Sequence, residues 1–421
     1  MQIIQSSNVR AVASLLDARP GKDPALQRRV ASIVERVRRD GDPALARYAR
    51  RFDGLNEPIE VTSRELAKGA MLVDRGVRKA IAFASKNIRS VAERQRPRPW
   101  KVSPVPGVVI SQRVVPLDRV GCYVPGGRYP LPSSLLMAVI PARVAGVPEV
   151  IVMCPRPDPT VMYAALEAGV SRLFRLGGAH AIAAMAYGTR RVPRVDRIVG
   201  PGNAYVAAAK ALVSRDCAID FFAGPSEIAI VSSSGRAAWI AADLIAQAEH
   251  DPEARAILVT PSARLAMAVS REVARRLPSE GPARQSLASH GGIVVTRTLD
   301  EAIALLQRLA PEHAVCDSAA VAARLTRAGT VFVGPYSAQA SGDYVTGSNH
   351  VLPTGGAAAA RGGLSTADFT RVTTVQRITA AGLRRIAPSG IALAVAEGLQ
   401  AHADSLRIRM PAARSSPERA R

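Results

Sequence analysis

From residue 108 onward, short apolar runs alternate with stretches of helical periodicity, and this alternation limits the fold more than any other feature of the chain. Strands are predicted at 120–124, 149–154, 172–176 and 197–199, with helices at 133–145, 159–168, 180–187 and 203–213. A second block repeats the grammar, with strands at 228–231, 256–259, 292–295 and 330–333 and helices at 236–248, 262–276 and 299–309. Parallel strands need a crossover between them, and helices supply it. The fold class is therefore α/β, with two units that each carry a parallel sheet covered by helices.

The flanks read differently. The first hundred residues are largely helical: over 24–39, Leu26, Val30, Ile33, Val34 and Val37 share one face, and Arg28, Arg29, Glu35, Arg36, Arg38 and Arg39 fill the solvated one. A Gly/Ser/Ala-rich stretch over 334–374 holds Asp343, Asn349 and His350, a helical segment is predicted at about 391–403, and the tail 412–421 reads as frayed.

With 56 Lys and Arg against 34 Asp and Glu, the net charge is +22, which taken alone suggests a non-enzymatic nucleic-acid binder. The lysines, however, are only Lys22, Lys68, Lys79, Lys86, Lys101 and Lys210, and the arginines are scattered singly or in pairs. Aromatic residues make up 4%, so stacking platforms are scarce, and neither nucleic acid nor membrane is expected as a partner. Cys122, Cys154, Cys217 and Cys316 form no CxxC pair and suit buried positions in a reducing cytoplasm. No signal peptide is expected, and Pro141, Arg143, Pro148 and Glu149 interrupt the most apolar stretch, 135–154.

Six histidines focus the search for chemistry: His180, His250, His290, His313, His350 and His402. Gln247 and His250 are spaced i, i+3 at a helix end, so they share a face and could bind one ion. Asp343 and His350 lie on a glycine-punctuated loop, and Glu312-His313 sets a carboxylate beside an imidazole, the pairing used in general acid–base catalysis. Taken singly, each has a structural reading too: a histidine at a helix end can be a cap, and an adjacent Glu-His pair can be surface. Glycine turns at 123–127, 176–178 and 199–203 suit backbone approach to a phosphate, or are ordinary βα turns.

Six motifs, in order, carry a family resemblance: Tyr123-Val-Pro-Gly-Gly-Arg-Tyr-Pro-Leu-Pro-Ser-Ser134, Val192-Pro-Arg-Val-Asp-Arg-Ile-Val-Gly-Pro-Gly-Asn203, Ala223-Gly-Pro-Ser-Glu227, Gln247-Ala-Glu-His250, Pro311-Glu-His313 and the Gly342-Asp-Tyr344 and Asn349-His-Val-Leu-Pro353 pair. The chain resembles the histidinol dehydrogenase family, zinc- and NAD-dependent enzymes that finish histidine biosynthesis by oxidising L-histidinol to L-histidine through the aldehyde with two NAD⁺.

The resemblance implies two Rossmann-like parallel-sheet domains with helical N-terminal and C-terminal extensions. The expected division is a 1–20 arm, a first domain of 21–118 plus 230–370, a second of 119–229, and a 371–421 extension contributing to a dimer. It implies one Zn²⁺ per subunit on Gln247, His250, Asp343 and His402, with His402 from the partner of a homodimer that shares its active sites. His313 would be the base for alcohol oxidation and Glu312 would activate water on the aldehyde. Ser226, Gln247, His250, His313, Asp343, His350, Glu397 and His402 would meet substrate, and Tyr123, His180 and Asn203 would line the NAD site. Two positions depart from the family pattern: His180 stands where it has Gln, and Gln339 where it has Glu. These departures leave room for a related zinc and NAD dehydrogenase acting on another amino alcohol or a sulfonated diol.

Overall fold

The computed structural model describes residues 1–17, 23–126, 129–222 and 224–410. Its contacts divide into two units, Met1–Arg96 with Leu117–Phe369, and Pro97–Pro116 with Thr370–Arg421. The 412–421 tail lies outside the described residues.

The larger unit holds two six-stranded sheets. In the first the spatial order is Gln2–Gln5, Gly291–Val295, Arg255–Thr260, Glu227–Val231, His313–Cys316, Thr330–Val333, and every neighbouring pair is parallel. Glu227–Val231 and Arg255–Thr260 are buried along their whole length, as β-branched and apolar strands covered on both faces must be. Their charged first residues face each other in register: Arg255 pairs with Glu227 at 3.2 Å and also donates to the carbonyls of Leu15 and Leu16. This ties the end of the Val9–Leu16 helix to the sheet.

In the second sheet the order is Glu60–Val61, Arg172–Phe174, Glu149–Met153, Arg119–Tyr123, Arg197–Val199, Ala218–Ile219, with only the Glu60–Val61 edge antiparallel. The almost wholly buried helix Pro132–Ala145 starts with proline, whose fixed φ suits the first turn, and stops at Gly146, where φ is 94°. Asp158, Ser262 and Thr298 cap the helices that follow them by accepting N–H bonds at 2.9–3.2 Å.

The helical N-terminal region and the α/β grammar are as the sequence indicates, but the division into domains differs. The Pro24–Asp40 helix buries Val30, Val34 and Val37 against Ile151, Phe174 and Ile182, so this region covers the second sheet rather than joining the first. Within the expected N-terminal arm, Gln2–Gln5 pairs with Gly291–Val295 as an edge strand.

The smaller unit is a three-stranded antiparallel sheet, Thr370–Ile378, Val108–Pro116 and Trp100–Val105, followed by two helices. The single helix expected at 391–403 is instead Ala380–Ala396 and Gln400–Arg407, broken where Gly398 turns with φ of 75°. No helix among the described residues is long and apolar enough to cross a membrane.

A buried ion pair, Lys210 with Asp220, locks the end of the second sheet: Lys210 Nζ also donates to the Gly200 carbonyl at 3.0 Å, and Asp220 accepts from the N–H of Gly200 at 2.8 Å and of Phe221 at 2.7 Å. Breaking one half of such a pair strands a charge, so Lys210→Met is expected to cost about 3–5 kcal/mol in urea unfolding. A loss below about 1 kcal/mol, the range of exposed pairs, would show the pair to be dispensable.

Candidate active site

The first group of residues gathers at the amino ends of two adjacent strands. The parallel register Ile228↔His313 puts Ser226 and Glu227 beside Glu312. Gln247, in the last turn of the Ala237–Ala248 helix, donates from Nε2 to Ser226 Oγ at 2.6 Å. Ser226 Oγ donates in turn to Glu312 Oε2 at 2.6 Å, and the same oxygen accepts the Glu227 N–H at 2.9 Å. Burial pushes the Glu312 carboxyl up to about 8, against the lowering effect of those two bonds.

His313 Nδ1 is 3.8 Å from Glu312 Oε2, and its Nε2 is 3.8 Å from Asp343 Oδ1. Burial pushes this imidazole down to about 4, with Asp343 opposing, so the ring is neutral near pH 7 and able to accept a proton. Asp343 Oδ2 is also 3.8 Å from His250 Nε2. His350 Nδ1 donates to the Asp343 carbonyl at 2.8 Å and its Nε2 lies 3.3 Å from Ser134 Oγ, with burial holding this ring below its ordinary value.

Gln339, fully buried, donates from Nε2 to Asp343 Oδ2 at 2.7 Å. A carboxylate there would offer no donor unless protonated, so the amide makes a neutral partner for Asp343.

Ser226, Gln247, His250, Glu312, His313, Asp343 and His350 thus belong to one neighbourhood. Glu397 and His402 belong to the smaller unit, at the end of Ala380–Ala396 and within Gln400–Arg407, where both are exposed. Among the described residues no three His, Cys, Asp or Glu side chains are grouped to hold a metal ion. The larger unit does contain a fitting donor set: Gln247 Oε1, buried and without a hydrogen-bond partner among the described residues, the His250 imidazole, and the Asp343 carboxylate 3.8 Å from it. Nitrogen and oxygen donors of this kind suit zinc.

The second group lies in the other sheet, at the carboxyl ends of Arg119–Tyr123 and Arg197–Val199, where the connections leave in opposite directions, the usual place for a ligand crevice. Tyr123 Oη accepts the Gly178 N–H at 3.1 Å. Gly200 sits at φ 113°, and a Cβ there would collide with the Tyr123 carbonyl. Asn203 accepts from the N–H of Tyr205 at 3.1 Å and of Val206 at 3.2 Å, capping Ala204–Val213.

His180 is 1% exposed, and its Nε2 is bonded to Asp53 Oδ2 at 2.8 Å, with Tyr48 and Phe52 rings 6.1 Å away. Sequence reasoning did not reach Asp53, which is 127 residues distant and also accepts the Gly177 N–H at 3.2 Å. Nothing in its local sequence marks it.

Residues 18–410 match the family model described as histidinol dehydrogenase. The histidinol dehydrogenase of Caulobacter vibrioides is 44% identical over 413 residues, covering 95% of this chain and 96% of its own. That of Geobacter sulfurreducens is 43% identical, covering 90% and 92%. The crystal structure of histidinol dehydrogenase from Elizabethkingia anophelis superposes with a TM-score of 0.92 at 32% identity, covering 97% of this chain and 98% of that one. The fold and these relatives define an NAD-dependent oxidoreductase. The chain belongs to the histidinol dehydrogenase family.

Removing the Ser226 hydroxyl leaves both Gln247 Nε2 and the buried Glu312 carboxyl short of a partner. Ser226→Ala is expected to destabilise the protein by about 1–3 kcal/mol, measured as a shift in the urea midpoint at constant slope. An unchanged midpoint would mean that the Gln247–Ser226–Glu312 chain contributes nothing.

Proposed function

We propose that the chain oxidises L-histidinol to L-histidine through the aldehyde, with two NAD⁺ per turnover, as a cytoplasmic homodimer with one zinc per subunit. The observation that carries this reading is the buried Glu312-His313 pair, set beside Gln247, His250 and Asp343, with Gln247 Oε1 lacking any protein donor.

Gln247, His250 and Asp343 would hold the metal, with His402 of a second subunit as the fourth ligand; its exposure on a separate unit is compatible with such a loan. Zinc bound there would supply a fixed point for the substrate's amine and imidazole, positioning the carbinol more than polarising it. NAD⁺, the hydride acceptor, would occupy the crevice lined by Tyr123, His180 and Asn203.

In the first oxidation His313, as a neutral imidazole, takes the carbinol proton. In the second, Glu312 in its ionised form, which gains population as pH rises toward about 8, takes a proton from the water that adds to the aldehyde. Ser226 and the Glu227 N–H keep the Glu312 carboxyl aimed, and burial of both catalytic side chains keeps bulk water out. His350, Glu397 and Ser226 would orient the substrate.

Purified zinc-loaded protein should form two NADH per L-histidinol and restore growth of a histidine auxotroph lacking this step. Absence of NADH would overturn the proposal. A second reading, oxidation of another amino alcohol or a sulfonated diol, draws on Gln339 and on the His180–Asp53 bond; turnover of such a substrate but not of histidinol would select it.

Two substitutions separate the roles. His250→Ala and His402→Ala are each expected to empty the metal site while leaving the circular dichroism spectrum unchanged, because the sheet cores lie elsewhere; full zinc by elemental analysis would refute the ligand set. Glu312→Gln should slow histidinal oxidation by about 10²-fold or more, the scale of a lost general base, and histidinol oxidation much less. Equal losses in both half-reactions would contradict the assignment.

A further inference from the structure

The two sheets of the larger unit share a strand order, and each therefore has a point where successive connections part. In the second sheet that point is the Tyr123–Gly200 crevice. In the first it lies between Glu227–Val231 and His313–Cys316, since one connection leads on to Arg255–Thr260 and the other to Thr330–Val333. The Glu312-His313 site uses the amino ends of these two strands, which leaves the crevice at their carboxyl ends to be accounted for.

A cavity of about 270 Å³ fills that crevice, lined by Ser232, Arg236, Trp239, Asp243 and Asp317 and by Gly334, Pro335 and Ser337. A serine- and glycine-rich loop at the start of a helix ordinarily suits phosphate. Here the backbone donors are already engaged: Asp317 Oδ2 accepts the N–H of Ser233 at 2.8 Å and of Ser234 at 3.4 Å, and Ser232 Oγ accepts that of Gly235 at 2.9 Å. An internal carboxylate thus takes the N–H groups of Ser233 and Ser234, which disfavours a phosphate on that loop.

What remains open has three parts. Asp243 makes no hydrogen bond or ion pair among the described residues, although burial pushes its carboxyl up to about 6. Arg236 also has no anionic partner among them; its guanidinium lies 4.3 Å over the Trp239 ring. Trp239 lines the cavity with part of its ring still exposed, and Tyr336, its centroid 5.8 Å away, stands outside the lining and is 87% exposed. A carboxylate, a guanidinium and the Trp239 ring around one small cavity complement an ammonium, a carboxylate and a flat ring.

We propose that this crevice binds a free α-amino acid with a planar side chain. Asp243 takes the ammonium, Arg236 the carboxylate, and Trp239 the ring. L-Histidine, the product of the proposed reaction, is one member of that class; the class itself does not depend on the reaction.

The chain has two tryptophans, Trp100 and Trp239, so Trp100→Phe makes Trp239 fluorescence a direct reporter. The Trp100→Phe protein, treated with EDTA, is titrated with L-phenylalanine, L-histidine, glycine, imidazole and inorganic phosphate. Saturable changes are expected with L-phenylalanine and L-histidine and none with the other three. Asp243→Asn and Arg236→Gln, each in the same background, should weaken both responses by about tenfold or more, the scale of one charge-assisted contact. No saturable response to any amino acid would overturn the proposal, as would a response to phosphate, or responses untouched by both substitutions. A response to L-histidine alone would place the ligand at the metal site and overturn it too. Because the readout is binding to Trp239, failure here is distinct from failure to turn over histidinol.

Discussion

The parallel pairing of Glu227–Val231 with His313–Cys316 is the contact on which the larger unit's chemistry depends. It sets Ser226 against Glu312 at one end of the two strands and Ser232 near Asp317 at the other. Because side chains alternate across a strand, a slip of one residue would move His313 to the opposite face and separate Ser226 from the carboxyl it contacts. The strands are short and buried on both faces, so their register is held by packing as well as by the ladder.

Around that pairing, polar groups are linked in short chains that leave Gln247 Oε1, Gln339 Oε1 and His313 Nδ1 without a hydrogen-bond partner among the described residues. Gln247, Ser226 and Glu312 form one chain, and Gln339 and Asp343 another. The Gln339 amide suits this setting because Asp343 already faces two imidazoles within 4 Å, and a further carboxylate would add charge to a buried cluster. His180 follows the same logic in the other sheet, where the Asp53 carboxylate fixes the orientation of its ring.

Much of the α/β order was legible because strands buried on both faces leave runs such as Ile228–Ala–Ile–Val, which few other structures produce. His313–Cys316 was not: a four-residue strand beginning with a catalytic-type residue carries no periodicity. Thr370–Ile378 was hidden for another reason: six of its nine residues are β-branched, but it is exposed, shows no apolar alternation, and its first half was read into the preceding Gly/Ser/Ala-rich stretch. The 24–40 helix shows which of its faces is buried but not which sheet buries it, hence the misplaced domain boundary. The acid, base and metal-type side chains were found because their motifs occur in order, whereas Asp53 and Ser134 come to the site only through tertiary contact.

The four cysteines bear on the chemistry of the aldehyde stage. All are buried, and burial pushes the thiols upward, Cys154 to about 12 and Cys217 to about 11. None is among the residues gathered around Glu312 and His313, so no thiolate stands ready to add to a carbonyl there. On the proposed reaction, the aldehyde carbon would then be oxidised as its hydrate rather than as a covalent thiohemiacetal. An enzyme built this way should tolerate thiol-alkylating reagents that would stop one working through an acyl-sulfur intermediate.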